Sequence, residues 1–162
     1  MKRPISLGAA AAIALISVAV SPTAGAAPPA SACGPDQPTA LRSALAKLPP
    51  EPLTERGWES IPVDTNYDPC ADLSTILVMI QGGTGSSPVQ ALMFHRGTYL
   101  GTGTSKAYGF TSLNRSRTTS DTVVLNYKTP GACNACPPAA VTSVRYQWQR
   151  DRVVMLDPAP RT

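Results

Sequence analysis

Residues Asn66–Gly101 read NYDPCADLSTILVMIQGGTGSSPVQALMFHRGTYLG, and this stretch decides the fold. From Thr75 to Ile80 the chain is continuously apolar, the pattern of a strand covered on both faces, here with a helix expected on one of them. Gly82 to Pro88 supplies a turn. The return strand alternates, with Val89, Ala91 and Met93 on one side and Leu92 and Phe94 on the other. Arg96-Gly97 then makes a tight bend into Thr98-Tyr99-Leu100. Before the hairpin, Asn66-Tyr67-Asp68-Pro69 is a turn sequence: Asp68 can bond forward along the backbone and Pro69 fixes φ.

Working outward on the N-terminal side, Leu41, Ala44, Leu45 and Leu48 repeat at helical spacing and give one apolar face. Asp36 or Thr39 can cap the start, and Pro49-Pro50 must end the helix because neither proline donates a backbone hydrogen bond. So short a helix does not stand alone in water and must dock on a sheet. From Pro49 to Pro69 the prolines and polar residues predict irregular chain, anchored by Trp58 and Ile61. On the C-terminal side, Tyr108–Thr111 and Thr122–Tyr127 are strand candidates. Val141–Gln149 alternates, with Val144, Tyr146 and Trp148 inward and Arg145, Gln147 and Gln149 outward. Arg150-Asp151-Arg152 turns into a last strand, Val153–Leu156. One helix followed by strands at short spacing predicts an α+β domain: an N-terminal amphipathic helix packed on an antiparallel β-meander of five to six strands.

The first 26 residues have the layout of a secretory signal peptide: Lys2 and Arg3, an apolar run from Ile5 to Val20, and Ala24-Gly25-Ala26 as a cleavage pattern. The expected organisation is therefore a signal peptide at 1–26, an extended arm at 27–38, one domain at 39–157 and a tail at 158–162. The apolar run is short for a membrane span, and no second one exists. Of the 14 basic residues two lie in the leader, so the mature chain carries 12 against 10 acidic residues. Nucleic-acid binding needs a basic stripe. The densest cluster, Arg115-Ser116-Arg117, reads as a solvated turn. Four cysteines in an exported chain point to two disulfides, with three possible pairings.

Taken as an ordered set, Cys33-Gly34, the short Leu/Ala helix ending in Pro-Pro, Asn66-Tyr67-Asp68-Pro69-Cys70, Gly82–Pro88, and Phe94-His95-Arg96-Gly97 with Tyr99-Leu100-Gly101 resemble the LppP/LprE family of actinobacterial envelope lipoproteins. The Thr119–Tyr127 strand and the closing Tyr146-Gln147-Trp148 to Val153-Val154 hairpin share the likeness. The resemblance implies an exported envelope protein, and it carries over no catalytic residues. It also implies that Cys33 bonds Cys70, a staple across the helix and the Pro-rich loop. Such a bond is worth about 4 kcal/mol by chain entropy, against about 2 for a Cys133–Cys136 ring. A lipobox places a cysteine directly behind the apolar run with Leu or a similar residue three places before it, whereas Cys33 follows Ala30-Ser31-Ala32. The mature protein therefore reads as secreted and not lipidated, with diacylglyceryl attachment at Cys33 as the alternative.

The remaining chemistry is sparse. Cys133-x-x-Cys136 matches a redox dithiol, but such motifs work at a helix N-terminus, and Gly131-Ala132 and Pro137-Pro138 leave no helix there, so a local staple is expected. Zinc would need ligands beyond His95, the sole histidine. Gly82–Ser87 lacks the Gly-Lys-Ser/Thr ending of a phosphate loop and reads as a hairpin turn. A Ser-His-Asp hydrolase would use His95 as base, Ser86 or Ser87 as nucleophile and Asp68 or Asp72 to orient it, without a Gly-x-Ser-x-Gly elbow. The reading is a non-catalytic binding or envelope-structural module, its partner an envelope component or a small ligand, and it uses no cofactor and no metal. A small hydrolase on His95 is the alternative, and a thiol-disulfide protein on Cys133/Cys136 comes third.

Overall fold

The computed structural model describes residues 33–158; the leader, half of the expected N-terminal arm and most of the C-terminal tail lie outside them. The helix α1 covers Gln37–Leu45. The Asp36 side chain caps it by accepting from the Thr39 N–H at 3.0 Å. It ends at Leu45, a turn before the prolines, with the Lys47 and Leu48 N–H groups closing a tighter turn on Ala44 and Leu45.

Eight strands follow among the described residues: β1 (Asp64–Thr65), β2 (Ser74–Met79), β3 (Val89–His95), β4 (Thr98–Thr102), β5 (Thr111–Leu113), β6 (Thr122–Thr129), β7 (Ala140–Gln149) and β8 (Arg152–Met155). They form two antiparallel four-stranded sheets, β1-β2-β3-β4 and β5-β6-β7-β8. The expected single meander of five to six strands is thus two consecutive meanders packed face to face. The chain crosses between them after β4, where a Cβ on Gly103 would lie 2.7 Å from Met93 Cε and 3.5 Å from Tyr146 Cε1. Two further expectations are corrected. Tyr108 makes only an isolated bridge to Val89, because Phe110 turns the chain with φ of 54°, and the strand starts at Thr111. Ile61 is no anchor and stands 76% exposed, since the chain bows outward between the bonds that Glu59 and Val63 make to β2.

The β2–β3 register pairs Leu77 with Ala91 and Val78 with Gln90, and it divides the hairpin between two cores. Leu77, Val89, Ala91 and Met93 meet Val123, Leu125, Tyr127, Val144 and Tyr146 of the second sheet. Ile76, Val78, Leu92 and Phe94 meet Ala40, Leu41 and Ala44 of α1, with Trp58 closing one side. The hairpin is therefore covered on both faces, as its unbroken apolar run requires. Arg96 and Gly97, with φ of 46° and 77°, form the two-residue turn between β3 and β4. No helix among the described residues is long and apolar enough to cross a membrane.

Cys33 and Cys70 are joined, with Cα atoms 4.9 Å apart, and so are Cys133 and Cys136, at 5.0 Å. The first bond ties the chain ahead of α1 to the turn that leads into β2. Removing it by Cys33→Ser with Cys70→Ser should lower the unfolding free energy by about 4 kcal/mol, and removing the short ring by about 2. Denaturant unfolding measures both, and equal losses would contradict the long-loop staple.

Between the sheets the Tyr127 and Tyr146 hydroxyls lie 2.8 Å apart. Burial pushes both phenols above their ordinary value of 10, and at Tyr146 the partner phenol adds to the effect. Unfolded phenols lose protons as pH passes about 10 while the native pair keeps them, so stability is full below that pH and falls above it. Ultraviolet titration should find these two phenols protonated until the fold melts; ionisation in the folded protein would contradict the buried pair.

Candidate functional site

The residues singled out in the sequence do not converge. His95, at the end of β3, stacks on Trp148 of β7 with ring centroids 3.9 Å apart, linking the two sheets. Its Nδ1 lies 2.7 Å from the Asp72 carbonyl oxygen, which can only accept, so Nδ1 carries the proton. The Asp72 carboxylate instead takes Arg96 Nε and Nη2 at 3.1 and 3.0 Å. Ser86 and Ser87 sit at the far end of β3, about 20 Å away along the strand. Ser87 Oγ there accepts from the Thr84 N–H at 2.8 Å. Asp68 caps the next turn by accepting from the Cys70 N–H. No nucleophile, base and orienting carboxylate meet among the described residues. Cys133–Cys136 closes a turn in the exposed loop between β6 and β7, with the Cys136 N–H on the Cys133 carbonyl. Arg115 pairs with Asp64, tying the short helical turn Arg115–Arg117 to the edge of the first sheet.

A different place has the character of a site. The helix, about 14 Å long at 1.5 Å per residue, covers Leu92 and Phe94 but contributes nothing at Gln90. There the Lys47–Pro52 segment and the Ser105–Ala107 loop take over the cover, and a cavity of about 350 Å³ remains. Its apolar wall is Leu48, Pro49, Pro50, Trp58, Tyr99 and Ala107. The Trp58 indole N–H donates to the Pro49 carbonyl at 2.8 Å, which fixes the indole beside the prolines. Burial raises the Tyr99 phenol above its ordinary value.

Two buried polar residues line this cavity, and they differ. Glu51, 5% exposed, is fully engaged at one oxygen: Oε2 accepts from the Thr54 N–H and Oγ1, both at 2.8 Å, and from the Leu53 N–H at 3.2 Å. Burial alone would raise its carboxyl, but these bonds outweigh it and hold the group below the ordinary carboxylate value. Glu51 therefore shapes the loop. Gln90, 4% exposed, donates from Nε2 to the Thr104 carbonyl at 2.9 Å. Thr104 Oγ1 in turn donates to the Lys106 carbonyl at 2.8 Å, which fixes the loop that holds the amide. A carbonyl only accepts, so the amide cannot flip, and its buried Oε1 has no hydrogen-bond partner. Sequence reading passed over Gln90, although one signal was present: it is a polar residue in register with Leu92 and Phe94 on a face expected to be buried. Apart from Tyr99, Gly101 and Thr102 of β4, its neighbours in the cavity come from irregular chain whose path no local pattern specifies.

The comparisons with known proteins place the chain. The sequence model of the LppP/LprE lipoprotein family matches residues 65–151, from β1 to the β7–β8 turn. A Mycobacterium leprae protein named as the lipoprotein LprE is 32% identical over 150 residues, which cover 88% of this chain and 71% of that protein. The LprE proteins of Mycobacterium bovis and Mycobacterium tuberculosis are 32% identical over 116 residues, 72% of this chain. The chain spans about half the length of these two, 54% of each. No solved structure matches. With more than half of its length matched by the family and the likeness extending through α1, the chain belongs to the LppP/LprE lipoprotein family.

Proposed function

We propose that this chain is an exported envelope domain that acts by binding a small molecule, without catalysis, and that the cavity at Gln90 is the binding site. The cavity carries the reading: about 350 Å³, concave and largely apolar, with rigid walls at Pro49, Pro50, Trp58 and Tyr99, it has the form of a small-ligand site. The dispersed positions of His95, Ser87 and the Asp72 carboxylate favour binding over the hydrolase alternative.

Export rests on the leader at residues 1–26 and on the lipoprotein relatives. A sulfur bonded to Cys70 is not free to form a thioether, so this domain is proposed to be unlipidated at Cys33. In this reading the N-terminal arm ends at Asp36, two residues before the expected boundary because α1 begins at Gln37, and a single domain runs from there to Asp157, with Cys133–Cys136 as a loop staple.

The test uses a filled cavity. Ser105 is exposed on the rim, so Ser105→Trp can project an indole into the cavity without entering the core. Thermal unfolding against a set of small alcohols, phenols, amides and ethers should show stabilisation of the wild type and none of the filled variant. Saturation at 100 times Kd is worth about 2.7 kcal/mol. No stabilisation of the wild type, or equal stabilisation of both proteins, would overturn the reading.

A further inference from the structure

We propose that the ligand is an organic monoanion with a flat apolar body, its ring on the cavity walls and its charged head met by Lys47 and Lys106 at the rim. The proposal rests on the binding reading above and adds the chemical class of the ligand.

Charge sets the head group. Among the described residues the cavity lining carries three charged side chains, Lys47, Lys106 and Glu51. Both lysines are exposed, and the long stem of a lysine lets its ammonium follow a head group over a range of positions. Lys47 makes no ion pair among the described residues. Lys106 holds its ammonium 5.2 Å from the centroid of the Tyr108 ring, a contact that leaves its charge in place. Glu51 is only 5% exposed, and its Oε2 is engaged by the Leu53 and Thr54 N–H groups and the Thr54 hydroxyl of its own loop. Two exposed ammonium groups against one inward-held carboxylate leave the rim with an excess of one positive charge. A positive rim over an apolar wall draws an anion and opposes a cation. One excess charge matches a single negative charge, and a second would have to shed water with nothing to balance it.

The walls set the body. The indole of Trp58, fixed by its bond to the Pro49 carbonyl, the ring of Tyr99 and the pyrrolidines of Pro49 and Pro50 offer flat apolar surfaces. Flat rings make the most contact with them. The volume, about 350 Å³, is that of roughly a dozen waters at about 30 Å³ each, which admits one substituted ring. A carboxylate at the exposed rim keeps part of its hydration while the ring leaves water, so both ends of such a molecule are suited by one pose.

Three probes that share a ring test this: 4-ethylbenzoate, the neutral 4-ethylbenzamide and the cationic 4-ethylbenzylammonium. Binding is followed at low salt by the backbone amide resonances of Trp58, Tyr99 and Ala107 in the wild-type protein. The benzoate should bind about fivefold more tightly than the amide, the scale of two exposed charge pairs, and the ammonium more weakly than the amide. Salt at about 0.5 M should bring benzoate and amide together, since exposed charges are screened there. Lys47→Gln combined with Lys106→Gln should do the same at low salt and leave amide binding unchanged, and Ser105→Trp should abolish binding of all three. The wild-type comparison and its salt dependence decide even where the double variant fails to fold. Equal binding of benzoate and amide to the wild type, lost in Ser105→Trp, would overturn the anion assignment while the binding reading stands. A benzoate preference that persists in the double variant would overturn the role of the two lysines. Absence of any shift with all three probes would overturn both readings.

Discussion

The β2–β3 hairpin must be covered on both faces, and the rest of the structure follows from that need. Leu77, Leu92 and Phe94 are fully buried, yet they point to opposite sides of one sheet. A sheet with two apolar faces needs two partners. The first face takes α1, which is too short to persist alone and gains its stability from the same contact. The second face takes another four-stranded sheet, so each layer depends on the hairpin and the hairpin on both. Cys33–Cys70 holds the helix end of this arrangement, and the stack of His95 on Trp148 joins the sheets at the opposite end of β3 from the Gly-rich turn.

What could be read from the chain were the features set by local pattern. The unbroken run at 75–80, the two-sided alternation of β3, the Arg96-Gly97 bend and the inward Val144, Tyr146 and Trp148 are consequences of period-2 geometry and turn chemistry, and each is found in the structure. The split into two sheets was not legible, because it depends on a crossover at Gly103 whose only local mark is a Gly-rich link. The exposure of Ile61 and the start of β5 at Thr111 were missed for a related reason. Both turn on where irregular chain bends, and long-range hydrogen bonds to β2 and β6 set that, not composition. The candidate site lies in the same blind region. Gln90 is set by β3 and Tyr99 by β4, but the rest of the wall belongs to Trp58 and to the Lys47–Pro52 and Ser105–Ala107 segments, which meet only in the folded chain.

The cavity is itself a product of the double cover. A nine-residue helix leaves part of the hairpin face to be closed by loops, and prolines close it with rigid surface but few donors. Thr104 takes up one end of the Gln90 amide and leaves the other bare. Had the face been closed by a longer helix, an apolar residue would suit this position better, since a half-satisfied buried amide is less favourable than none. What the loops leave open is the cavity walled by Pro49, Pro50, Trp58 and Tyr99, and that opening is the candidate for recognition.

The most direct measurement of the central claim is the mass of the protein produced in a mycobacterial host, taken once under native and once under denaturing conditions. The account predicts a denatured mass with both disulfides intact and no lipid, and a native mass larger by one small molecule that is released on unfolding. Identical native and denatured masses, or a lipid thioether at Cys33 with a free Cys70 thiol, would contradict it.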